Sequence, residues 1–153
     1  MSDQPQAAEL VFTRVFEAPR ELVFRCLTEP DHLTHFWGPA GVSTPVENIR
    51  VDLRPGGVFE TVMVNDADGS EYPMRAVYVE VAAPERLVWT DPGTGMTTTS
   101  TLTDLGGGRT EVRIRQVHVP EPMRSPEARA GFATSLDRCA AYLGALVSGE
   151  APR

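Results

Sequence analysis

The segment PEARAGFATSLDRCAAYLGALV, residues 126–147, is the one long run of helical periodicity in the chain. Ala128, Phe132, Leu136, Cys139, Leu143 and Leu146 recur three or four residues apart and form a single apolar stripe. Arg129, Asp137 and Arg138 are expected to face away from it. Pro126 suits the first helical position, where its missing N–H costs nothing. Pro120, Pro122 and Pro126 together interrupt whatever precedes the helix.

What precedes it reads as strands. Residues 46–53 alternate Ile49, Val51 and Leu53 with Asn48, Arg50 and Asp52, the period of a sheet with one wet face. Arg54-Pro55-Gly56-Gly57 then reads as a tight turn, since glycine admits positive φ. Further strands are expected at 58–64, 72–81, 86–90, 96–103 and 110–119, separated by turn-rich sequence such as Asn65-Asp66-Ala67-Asp68-Gly69. Nearer the N-terminus, residues 9–17 read as a first strand. Two short helices follow, one from Pro19 with Leu22, Val23, Cys26 and Leu27 as its apolar face. The other starts at Glu29-Pro30-Asp31, with Asp31 as the capping residue and Gly38-Pro39 as its end. The order is strand, two short helices, six strands, one long helix. A single helix covers a seven-stranded antiparallel sheet only if the sheet curls around it, so the fold class is α+β, and gaps between helix and sheet are natural ligand sites.

The chain has 153 residues, 41% apolar and 23% charged, the proportions of one folded domain, here expected over 9–147 with flexible tails at 1–8 and 148–153. The formal charge is −7 and every basic residue is arginine, alternating with acids and forming no patch. That argues against nucleic-acid binding, where affinity comes from neutralising phosphates. No apolar run approaches membrane-spanning length and no leader is visible, so a cytoplasmic protein without membrane insertion is expected. Cys26 and Cys139 lack a metal or redox spacing and read as buried small hydrophobes.

The string Phe16-Glu17-Ala18-Pro19-Arg20-Glu21-Leu22-Val23-Phe24 resembles the opening of homologues of the activator of the Hsp90 ATPase. This family belongs to the START/Bet v 1-like (SRPBCC) superfamily. Glu29-Pro30-Asp31-His32-Leu33, Phe36-Trp37-Gly38-Pro39, Asp52-Leu53-Arg54-Pro55-Gly56-Gly57, Pro84-Glu85-Arg86-Leu87-Val88 and Gly131-Phe132 extend the resemblance over about 9–147. Phe36 and Phe132 stand where the family usually has Trp. The resemblance implies the helix-grip fold, a cavity for lipid-like or aromatic molecules, and a setting in stress response. Some relatives are cyclases or aromatases, and the eponymous co-chaperone carries a second domain for which 153 residues leave no room.

Trp37, Phe59, Met63, Met74, Trp89 and Met96, with Phe132, Leu136 and Leu143 on the helix, are candidates to line such a cavity; each is equally explained as core. Strand phase puts Gln116 and His118 inward with Val112 and Ile114, and Thr98 and Ser100 inward on a neighbouring strand. His118 is thus a weak candidate acid–base in a cyclase, dehydratase or hydrolase, or a half-buried histidine at a strand end. His32 and His35 form an H-x-x-H without a third ligand, and solvated surface histidines are expected, with no metal and no cofactor. The preferred reading is a binding module for a hydrophobic small molecule, monomeric or homodimeric. Catalysis through His118 and a chaperone-cofactor interaction are the alternatives.

Overall fold

The structure, a computed structural model, describes residues 8–149. Of the flexible tails expected at 1–8 and 148–153, residues 1–7 and 150–153 lie outside the described residues. Strand β1 (Leu10–Phe16) leads into helices α1 (Arg20–Cys26) and α2 (Pro30–Leu33). Strands β2 (Val42–Ser43), β3 (Ile49–Val51), β4 (Val58–Asn65), β5 (Glu71–Ala82), β6 (Arg86–Thr90), β7 (Thr97–Gly106) and β8 (Arg109–Val117) follow, then helix α3 (Pro126–Ser148). The sheet is antiparallel in the order β1-β8-β7-β6-β5-β4-β2, with β3 also on β4. The first strand therefore closes onto the last, while the two edges are β1 and the β2/β3 pair.

The expected α+β architecture is present, with one local correction. The strand read over 46–53 is a 3-10 turn (Val46–Asn48) followed by three residues of strand, and Val42–Ser43 adds another short strand. Both pieces pair with β4, Val42 opposite Asn65 and Ile49 opposite Thr61, so they share one broken edge track. The break follows from Pro45, which lacks an N–H for the ladder and starts the 3-10 turn.

The inner face of the sheet is the one its alternation announces. On β8, Thr110, Val112, Ile114 and Gln116 are buried and the arginines between them are exposed. Phe59, Tyr78, Leu102 and Val112 are at most 2% exposed and continue the core across the sheet. At the junction of β1 and α1, the Thr110 hydroxyl donates to the Ala18 carbonyl at 2.7 Å, pinning the start of the helices to β8.

Three helix readings change. Glu29, not Asp31, is the N-cap of α2 and makes no side-chain bond there; Asp31 is already inside the helix. That helix ends at Leu33, so Phe36 and Trp37 lie on the chain that leaves it. At the other end of the molecule α3 continues through Ser148 to Gly149, whose φ of 81° makes it a left-handed C-cap. Ser125 caps its start by accepting from the Ala128 N–H at 3.1 Å.

Candidate functional site

Between the inner face of the sheet and α3 lies a cavity of about 440 Å³. Its wall is built from side chains that alternation and helical spacing turn inward. Trp37, Phe59, Met63, Met74, Trp89 and Met96 all line it. So do Thr98, Ser100 and Gln116 on β7 and β8, and Phe132 and Leu136 on α3. The aromatic rings form a connected wall. Trp37 meets Phe59 edge-on at 5.2 Å, and Phe59 meets Trp89 at 5.7 Å and 76°. Phe12 on β1 packs on Phe132 across the gap at 4.4 Å, which ties the sheet edge to the helix.

Two expected residues are elsewhere. Leu143 is 1% exposed but belongs to the packed core outside the cavity lining. His118 is the larger correction. β8 ends at Val117, and His118 has φ of +56°, so the backbone leaves the pleat and the two-residue phase is lost. Its side chain is exposed and outside the lining, while Val119 is buried in its place. Strand phase holds only as long as the strand does, and nothing in the letters at 117–119 marks its end.

Sequence reading also passed over wall residues. Leu10, Phe12 and Phe16 line the cavity from β1, and their period of two would have assigned them had it been used. Ser135 and Cys139 line it from α3. Burial pushes the Cys26 thiol up to about 12 and raises that of Cys139 as well, so both are protonated, inert groups in the core. Among the described residues no three His, Cys, Asp or Glu side chains converge as a metal site.

Helix α3 does more than supply apolar wall. Arg138 does not face away: its Nη1 donates to the carbonyls of Gly38, Pro39 and Val42 at 2.8, 3.0 and 3.0 Å. The Ala40 N–H donates to Thr134 Oγ1 at 3.1 Å. Gly38 and Pro39 line the cavity, so Arg138 and Thr134 hold one of its lips to the helix. Asp137 pairs with Arg14 of β1 at 2.7 Å, and Arg129 joins Glu127 at the cavity's exposed rim. Arg138→Met is expected to cost about 2 kcal/mol, because three carbonyls lose a charged donor at once. Urea denaturation measures that cost, and faster amide exchange at residues 40–42 locates it at the lip.

The H-x-x-H departs from expectation in part: His35 is exposed, while His32 is half-buried. His32 Nδ1 is 2.7 Å from the hydroxyl of Tyr142, and the His35 ring stacks on the Tyr142 ring at 4.8 Å and 14°. His32 on α2 and His35 on the chain just after it therefore dock this segment on α3 through Tyr142, a buried residue absent from the sequence reading. Burial lowers the pKa of His32, outweighing the opposing effect of Glu29, whose carboxylate is 3.6 Å from Nε2. The unfolded chain then takes up this proton at a higher pH than the folded one. His32 thus contributes stability above its unfolded pKa of about 6.5 that is lost as pH falls below that value. Thermal melts between pH 7.5 and 5.5 should show a falling Tm, with a shallower slope in His32→Gln.

No helix among the described residues is long and apolar enough to cross a membrane. No curated protein matches the chain significantly. Solved structures do. A Chromobacterium violaceum protein shares 28% identity and a TM-score of 0.81, over 88% of this chain and 96% of its own. One from Nitrosomonas europaea shares 29% and 0.78, over 92% and 97%. A Silicibacter pomeroyi protein bearing the name AHSA1 is alike in fold, at 22% identity and a TM-score of 0.75, over 90% and 98%. The family model for activator of Hsp90 ATPase homolog 1-like proteins matches residues 17–144, from the end of β1 to the last turns of α3. That span takes in Trp37, Phe59 and Trp89 of the aromatic wall, the Arg138 lip and nearly all of the grip helix, and the chain belongs to that family.

Proposed function

We propose that this protein reversibly binds an apolar, ring-containing small molecule between the sheet and α3. The observation that carries the reading is the 440 Å³ cavity itself, a volume in the usual range for small-molecule sites. A fully interdigitated core leaves few voids larger than a water molecule, so space on this scale is not a packing accident. Rings of Trp37, Phe59 and Trp89 offer flat surfaces for stacking, and Met63, Met74 and Met96 adapt to the outline of what enters. The residues involved belong to one binding domain acting as a monomer or homodimer.

Catalysis through His118 has no place in this reading, since its imidazole is outside the lining. The test is native mass spectrometry of the purified protein, followed by thermal shift with polycyclic aromatic and fatty compounds. A co-purifying apolar compound, or a Tm rise with one class, supports binding. A bare mass together with no shift across the panel would sink it.

A further inference from the structure

On its sheet side the apolar wall is interrupted, among the described residues, at one place, and that place is neutral. Thr98 and Ser100 lie two residues apart on the inner face of β7, and Gln116 stands directly opposite Thr98 on β8. They are 3%, 7% and 6% exposed, and all three line the cavity. Gln116 spends one N–H on Thr98 Oγ1 at 3.2 Å. Among the described residues its amide oxygen and the Ser100 hydroxyl have no protein partner. Neither atom is sealed inside the packing, so both are open to a polar group that enters the cavity.

We infer that Gln116 and Ser100 form a polar anchor for a neutral hydroxyl carried on the buried end of the ligand's ring system. This rests on the cavity being the binding site, and it adds the ligand's chemical class. A hydroxyl fits better than a ketone for a reason of hydrogen-bond inventory. The Thr98 hydroxyl both donates and accepts, so the Gln116 amide can turn either face to the cavity. A ligand hydroxyl satisfies whichever face is presented and still pairs with Ser100; a ketone, which only accepts, matches one. A carboxylate or ammonium is disfavoured at this depth. Among the described residues the only charged side chains in the lining are Glu127 and Arg129, both exposed at the rim, and an unpaired charge at the anchor would lose its hydration without compensation.

The experiment compares three probes of one shape: phenanthrene, 9-phenanthrol and phenanthrene-9-carboxylate, titrated by isothermal calorimetry. The phenol should bind at least about tenfold more tightly than the hydrocarbon, and the carboxylate more weakly than the phenol. Gln116→Leu should abolish the preference for the phenol, read as the ratio of phenol to phenanthrene affinity within the same variant, and Ser100→Ala should reduce that ratio partway. Equal binding of phenanthrene and 9-phenanthrol by the native protein would overturn the anchor but leave the cavity reading standing. So would a preference that survives in both variants. Failure of all three probes to bind would overturn the cavity reading and the anchor with it.

Discussion

Gly57→Ala is expected to destabilise the chain by about 3 kcal/mol or more, at the upper end of over-packing effects. A Cβ at position 57 would lie 2.0 Å from the Asp52 carbonyl oxygen. That oxygen cannot swing aside as a side-chain tip would. It accepts from the Arg54 N–H at 2.9 Å, while the Asp52 N–H donates to Val58 at 2.8 Å. The turn is in addition stitched to β5, since Tyr78 donates to the Gly57 carbonyl at 2.9 Å. Relieving the clash means pulling the β3–β4 turn off its neighbour. The adjacent Gly56→Ala should cost less, about 1 kcal/mol, because only its φ of 85° resists a side chain and nothing lies within 4 Å of the added Cβ. Urea midpoints of the two variants check the difference. Equal, small losses would mean that the turn opens without penalty.

Ser135→Phe is expected to keep the fold and lose the ligand. Ser135 is half-buried on α3 and lines the cavity. A phenyl ring there would occupy space that the proposed ligand needs and add apolar surface to an apolar wall. Phenanthrene affinity should fall at least about tenfold, with Tm unchanged or slightly raised. Unchanged affinity in a folded variant would place the bound molecule elsewhere.

Much of the architecture could be read in one dimension. Alternation at Ile49 and Val51, and at Val112, Ile114 and Gln116, reports burial because a pleated strand turns successive side chains to opposite sides. The stripe on 126–147 identifies the grip helix for the analogous reason at a period of 3.6. Reading failed where the regular element stopped. The extension of β8 phase to His118 and the assignment of Asp31 as a cap both assumed boundaries that tertiary packing sets. Arg138 and Tyr142 were missed because their partners are about a hundred residues away: the Gly38 and Val42 carbonyls for one, His32 for the other.

The amino-acid sequence by itself determined the order of the longer elements, the inner face of the regular strands and the apolar character of most of the wall. These depend on local periodicity, which every segment carries within itself. Only the tertiary structure decided that the wall encloses about 440 Å³ of space, and that Gln116 and Ser100 reach it while His118 does not. It also decided that Gly56 serves the turn by its φ and Gly57 by its missing Cβ. The physical reason is the same in each case. A cavity is the difference between the volume enclosed by distant elements and the volume their side chains fill, and a close approach is a distance between chain segments. Neither quantity is written in any stretch short enough to be read alone.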